Sequence, residues 1–257
     1  MTLINEEDVS NFEVGMEIAF YDNDGTGNGP GTARSATRVI SAIDRSATLK
    51  SLTFSSNIPV DVAYQDHLVQ AGDLDAKISG LEAWCPASAP GATSFFGVDR
   101  TTDTSRLGGN RSDGSAKPIE EALIDGLSLA ARNGGAPSHI FVDYATYANL
   151  EKALGSKVQY DKLKASDANV GFTSLKIHGP AGTVDVIPDI NCQPNVAWAL
   201  QLDTWSLNSL GEAPQILDLD GNNMLREASA DAYEVRMGFY GNCATVAPGW
   251  NCRIALA

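Results

Sequence analysis

Apolar residues recur at two different periods along this chain, and the changes between them divide it. From Phe12 to Gly72 they alternate as in strands: FEVGMEIAFY, ATRVISAI and ATLKSLTF, separated by the glycine-rich DNDGTGNGPG and the polar break DRS. Val39, Ile40 and Ile43 before Asp44-Arg45, followed by Leu49, Leu52 and Phe54, predict a hairpin of a small barrel or sandwich. Residues 1–77 therefore read as a β-rich module. Between Ile78 and Lys117 the periodicity is lost among Pro86, Pro90, PGATSFFG and LGGNRSDGS. Residues 78–117 read as an irregular arm, and loops of that length are uncommon unless functional or disordered. In an assembling protein such an arm would lie across a neighbour.

Pro118 opens a helix in which Ile119, Ala122, Leu123, Gly126, Leu127 and Ala130 share helical spacing. Glu120 and Glu121 suit its first turn, and Asn133-Gly134-Gly135 stops it. A short apolar run from His139 to Val142 predicts a strand. A second helix follows from about Tyr144 to Leu154, with Tyr147, Leu150 and Leu154 on one face and Gly155 as its stop. From Val170 onward SLKIHG, TVDVIPD, AWALQLD, PQILDLD, AYEVRMGFYG and CRIAL predict strands, most of them separated by turns at GPAG, NCQPN and GNN. Residues 118–257 thus form an α+β body with an antiparallel or mixed sheet, without the β/α alternation of a dinucleotide fold.

Composition narrows the function. With 257 residues, 43% of them hydrophobic, the chain can bury a real core. Its 32 acidic and 18 basic residues leave a net charge of -14, which opposes binding nucleic acid through phosphate neutralisation. Cys85, Cys192, Cys243 and Cys252 lack CxxC spacing, so reduced, partly buried thiols are expected rather than a zinc or redox site; a Cys243 to Cys252 disulfide is the alternative. The start MTLINEEDVSNF has neither a basic nor an apolar leader region, and no stretch is apolar enough to span a membrane, so a cytoplasmic chain with no membrane partner is expected.

Candidate chemistry is sparse. Asp22, Asp24, Thr26 and Gly27 follow a calcium-loop pattern, but its twelfth position is Ala33 where a bidentate Glu belongs. Asp218-Leu-Asp220-Gly221 reads as a strand ending in a turn. Gly25, Gly27, Gly29 and Gly31 are followed by no Lys-Ser/Thr pair. His67, His139 and His178 are far apart in strand contexts, and no GxSxG elbow marks a serine. No catalytic residue, metal or cofactor is expected. The segment from His178 to Leu256 is dense in specific residues and nearly empty of chemistry, as befits a part built to hold a shape.

Aromatic residues carry the remaining signal. Trp198, within AWALQL, alternates like a core residue. Trp84, Phe95 and Phe96 lie in the irregular arm, and Trp205 stands at a strand end. These four are candidates for contact between subunits or for packing within the chain.

From about Leu107 to Leu256 the chain resembles the major capsid proteins of tailed bacteriophages, which share the Hong Kong 97-type shell fold. GSAKPIEEALIDGLSLAARNGG is similar to the end of their spine helix, and SHIFVDYATYANLEKALGSKVQY to the strand and helix of their peripheral domain. SLKIHGPAGTVDVIPDINCQPNVAWALQLDTWSLNSLG resembles the axial-domain sheet, and DAYEVRMGFYGNCATVAPGWNCRIAL the strand returning through the peripheral domain. The resemblance implies a non-enzymatic subunit that assembles into hexamers and pentamers of an icosahedral head, in the virion and earlier in the host cytoplasm, with scaffold, portal or decoration proteins as partners. Residues 1–77 would be an extended-loop or inserted region. Family members carry an N-terminal arm, and this chain begins too late to contain a full one. The Lys and Asn of the isopeptide bond found in some relatives have no assignable counterparts. An encapsulin-type compartment shell is the nearest alternative, and a hydrolase or a calcium-dependent binding module using the Asp22 loop is the remote one.

Overall fold

The computed structural model describes residues 1–4, 6–23, 30–45, 50–74, 76–92, 94–154, 175–212, 214–216, 218, 221, 223–227 and 229–257. Its first unit is organised by one strand. In β1 (Glu17–Asn23), Ile18 and Phe20 stand two residues apart, so both face one side, and both are fully buried. β1 pairs antiparallel with β2 (Pro30–Ala33), β3 (Arg38–Asp44) and β5 (His67–Gln70), while β3 continues antiparallel into β4 (Ser51–Phe54). The predicted β3–β4 hairpin is present, with a register shift between Ile40 and Ala42; Leu49 lies outside the described residues. Val9, Ile18, Phe20, Ile40 and Leu52 form this unit's own core, and Phe54 meets Phe20 edge to face at 5.6 Å.

An ion pair ties the loops of this unit together. Arg34 donates from Nε and a terminal nitrogen to the two carboxylate oxygens of Asp66, both at 2.8 Å, and the Asp66 side chain is 2% exposed. The bound guanidinium holds the Asp66 carboxyl below the usual carboxylate range, against the opposing effect of burial. A depressed folded pKa stabilises above the unfolded value of about 4, and that stabilisation is lost as pH falls through the folded value. Asp66→Asn is therefore expected to lower the unit's stability at pH 6, and the gap to the parent chain is expected to narrow as pH falls below about 4. Paired thermal melts above and below that value check this; a gap independent of pH would contradict it.

The second unit is a six-stranded mixed sheet. After the single-turn helix α1 (Leu81–Trp84) come β6 (Asn110–Asp113), α2 (Ile119–Arg132), β7 (His139–Val142), α3 (Tyr144–Leu154), β8 (Leu175–Gly179), β9 (Gly182–Pro188) and β10 (Val196–Leu200). Three antiparallel pairs follow: β11 (Trp205–Ser209) with β16 (Gly241–Thr245), β12 (Gln215–Ile216) with β15 (Met237–Gly238), and β13 (Leu225–Arg226) with β14 (Tyr233–Glu234). β17 (Cys252–Ala255) returns to the sheet, whose order is β6-β17-β10-β7-β9-β8, with β6–β17 and β7–β9 parallel.

Helix α2 forms because its apolar stripe has somewhere to go. Ala122, Leu123, Leu127 and Ala130 are buried against Ile140, Ala197, Ala199 and Ile254 of the sheet, as the helical spacing predicts. The helix ends in a Schellman motif: Gly134, at a φ of 88°, donates to the Ala131 carbonyl, and Gly135 donates to Ala130. Tyr147, Leu150 and Leu154 of α3 pack on the same core. The residue 78–117 segment departs from the expected irregular arm: it holds the short helix α1, a single 3-10 turn at Arg100–Thr102 and a strand. Asn110–Asp113 is a strand of the central sheet, registered residue for residue on Cys252–Ala255. No helix among the described residues is long and apolar enough to cross a membrane.

Candidate functional site

Strand β10 is buried along its whole length because it has covers on both faces. Ala197 and Ala199 face α2, and the smallness of alanine lets the helix approach. Val196, Trp198 and Leu200 face the other way, into a second cluster with Cys85 that Leu81, Trp84, Phe141, Cys192 and Trp205 help to close. Leu81, Trp84 and Cys85, from the non-periodic segment, thus help to form the sheet's second cover.

Three of the four aromatic candidates meet there. The Trp84 ring stacks on Phe96, with centroids 5.8 Å apart, and meets Phe95 edge-on at 4.9 Å; Phe95 and Phe96 are themselves 4.6 Å apart. Arg100 places its guanidinium carbon 4.2 Å from the Phe95 ring centroid and donates to the Ala83 carbonyl at 2.7 Å. Trp84 Nε1 donates to the carbonyl of Cys243, which ties this cluster to β16. Trp84 and Phe95 are half-buried within their own chain, whereas Phe96 is 63% exposed.

The backbone at Phe96 explains that exposure. Phe95 and Val98 exchange both backbone hydrogen bonds at 3.0 Å, and the two residues between them, Phe96 and Gly97, have φ angles of 49° and 81°. Two consecutive positive φ values define a turn that asparagine and glycine adopt readily; a bulky residue at the first place is strained by on the order of 1–3 kcal/mol. The strain lifts an aromatic ring to the surface.

Trp205 lies at the start of β11, beside a buried polar knot. Asn251, completely buried, accepts at Oδ1 from the Gln201 amide (2.9 Å) and from Trp205 Nε1 (3.0 Å), and donates from Nδ2 to the Ala247 carbonyl (3.0 Å). Thr204 and Thr245 close it, hydroxyl to hydroxyl, at 3.3 Å. Trp205 joins Trp84 around the same apolar cluster, but its nitrogen is committed to Asn251. Asn251 and Arg100 were not singled out in the sequence, where a lone Asn in a turn and a lone Arg in a loop carry no periodic signal.

Reactive groups are held inert. All four cysteines are free, so Cys243 and Cys252 form no disulfide. Burial pushes the Cys85 and Cys252 thiols up to about 12 and Cys192 to about 11, which keeps them protonated at neutral pH and poorly nucleophilic. His139 Nδ1 is engaged by the neighbouring Ser138 hydroxyl at 2.8 Å, and His178 Nδ1 by Thr183 at 3.0 Å. Among the described residues no group of three or more His, Cys, Asp or Glu could hold a metal ion. Residues 24–29 of the Asp22 loop, with its glycines 25, 27 and 29, and Leu219, Asp220 and Asn222 of the second acidic turn lie outside the described residues. Asp22 itself accepts from the Thr32 amide.

A cleft of about 1230 Å³ opens between the N-terminal unit, at Phe12 and Tyr64 to Leu68, and the body, at Asp143, Ile190 to Val196 and Arg253. Asp143 spends one carboxylate oxygen on the Ala145 and Thr146 amides at the head of α3. Arg253 lies over the Trp198 ring. Neither arrangement sets a base beside a nucleophile.

A family model described as SU10 major capsid protein matches residues 15–223, from just before β1 to just before β13. No curated protein matches the chain.

Proposed function

The chain belongs to the SU10 major capsid protein family, a structural family, and from that membership we propose that it assembles into the icosahedral head shell of a tailed bacteriophage. The match over more than half of the chain carries this reading. In this account the body adopts the Hong Kong 97-type fold. α2 takes the place of the end of the spine helix, and the sheet with α3 takes that of the peripheral and axial domains. Residues 1–77, which have a core of their own, are an extended-loop or inserted module; residues 78–117 are the arm leading to α2, and residues 118–257 the capsid body. The subunits associate as hexamers and pentamers, in the host cytoplasm first and then in the virion, with scaffold, portal or decoration proteins as possible partners.

The physical character of the chain supports this reading. Two of its thiols are buried and the other two half-buried, its polar clusters are spent on holding turns, and its charge of -14 disfavours gripping a packaged polyanion. Closed symmetry multiplies modest contacts, so a shell needs rigid sheets more than any single strong site. Trp84, Phe95, Phe96 and Trp205 are the proposed contact residues, with Phe96 as the exposed knob, Trp84 and Phe95 as its support, and Trp205 beside Trp84 in the underlying apolar cluster. The test is sedimentation velocity on the full-length gene product at rising concentration. The expected result is a concentration-dependent species of many copies; a strictly monomeric boundary throughout would overturn the reading.

Phe96 supplies a sharper check. Phe96→Asn relieves the turn strain and gives up the exposed ring's contacts with Trp84 and Phe95, so the isolated subunit is expected to gain a net of at most about 1 kcal/mol, raising Tm by up to roughly 2–4 °C. The same change removes the knob, so assembly is expected to weaken while folding strengthens. Melting curves and sedimentation on one preparation separate the two effects. A lower Tm, or unchanged assembly, would contradict the assignment.

A further inference from the structure

Among the described residues, the strands between β11 and β16 carry a group of large apolar side chains that the chain's own packing leaves uncovered. β11–β16, β12–β15 and β13–β14 follow one another as a single antiparallel ribbon, each a two-stranded sheet. Its root is fixed: Trp84 bonds the Cys243 carbonyl, the Ser79 amide donates to Asn242, and Trp205 bonds Asn251. Beyond the root, the large apolar residues face solvent. Leu207, Leu210, Ile216, Tyr233, Met237 and Tyr240 are all exposed, Leu210 at 85%. Four of them meet across the ribbon, while Leu207 stands opposite Cys243 and Tyr233 opposite Arg226. Ile216 stands directly opposite Met237, and the Leu210 amide bonds the Tyr240 carbonyl at 2.9 Å.

Two-stranded ribbons are marginally stable in water, and stability requires a further strand or a packed face. Here the cross-strand apolar pairs that would supply such a face are present and unburied. The six side chains expose roughly 700 Å² together, close to the ~800 Å² that each partner contributes to a stable interface. Both edges of a lone ribbon also offer unpaired backbone groups to a neighbouring strand. Six acidic residues lie between Trp205 and Thr245, against Arg226 and Arg236, so apolar contact and not charge attraction must hold this element against another acidic surface.

We propose that this ribbon is an intersubunit arm whose apolar pairs are covered by a second copy of the same chain. The proposal rests on the shell reading, which supplies identical neighbours at fixed positions, and goes beyond it by assigning a contact that the aromatic cluster does not include.

The test uses the full-length chain with a photoreactive benzophenone amino acid at position 210, and separately the double substitution Leu210→Ser with Met237→Ser. Irradiation of the assembled protein is expected to give covalent dimers joined at position 210, and irradiation of protein first diluted to monomer is expected to give none. The double variant is expected to keep the parent circular dichroism and melting curve while raising the concentration needed for assembly at least tenfold. Shells that yield only intrachain links at 210, or a folded double variant that assembles at the parent concentration, would overturn the proposal and leave the shell reading standing. Dimers linked at 210 that never grow into shells would support the ribbon contact and overturn the shell reading. Neither shells nor links would overturn both.

Discussion

Asn251→Ala is expected to destabilise the folded subunit by about 3–5 kcal/mol, the largest effect foreseen for a single substitution here. The change deletes three hydrogen bonds at a completely buried position. It strands the partly buried Gln201 amide, Trp205 indole N–H and Ala247 carbonyl, and a polar group left unpaired away from water costs about 1–3 kcal/mol. Water entering the vacated space offsets part of the total, which keeps the figure below the simple sum. Against a typical domain stability of about 5–15 kcal/mol the loss is severe. It is measured as the shift in urea midpoint at constant slope. A cost under about 1 kcal/mol would mean that the knot around Asn251 contributes little. The consequence reaches the ribbon, because Trp205 and Gln201 set the direction in which β11 leaves the sheet.

Gly135→Ala is expected to cost about 2–3 kcal/mol by overpacking. A Cβ on Gly135 would lie 2.5 Å from the Trp250 carbonyl oxygen and 2.8 Å from its Cα. Both are backbone atoms of the turn that delivers Asn251, so no side-chain rotation relieves the contact. The turn must shift, and the Asn251 knot with it. Coupling is the distinguishing readout: in a double-mutant cycle Gly135→Ala and Asn251→Ala should be clearly non-additive, since the first already disturbs what the second removes. Strict additivity would contradict this shared mechanism.

These two residues mark where sequence reading stops. Helix α2 was legible because several independent signals coincide: Pro118, the acidic first turn, the apolar spacing and the Asn133-Gly134 stop. The β3–β4 hairpin, β7 and α3 were legible for similar reasons of local pattern. β6 was not, because Asn-Arg-Ser-Asp is polar throughout and becomes a strand only by pairing with β17, about 140 positions away at the other end of the chain. Strand β10 hides its two-faced burial, since alanines on one side and large residues on the other look alike to a hydropathy pattern. PQILDLD and AYEVRMGFYG suggest longer strands than the two-residue pairs found, because a ribbon without a third strand has little to hold its register.

The aromatic candidates illustrate the same limit. Composition marked Trp84, Phe95, Phe96 and Trp205 as unusual for their surroundings, but the neighbours of Trp84 and Trp205 come from β10, β16 and the turn before β17. Only coordinates could assign Trp84 and Trp205 their bonding partners and leave Phe96 at the surface. The left-handed conformation at Phe96 is invisible in its identity, although Gly97 beside it is the residue that such a turn favours.

Electron microscopy of the purified full-length gene product tests the central claim most directly. Closed shells of uniform diameter, resolving into fivefold and sixfold clusters of this chain, are the predicted result. A field of single subunits at concentrations where sedimentation detects no larger species would contradict it.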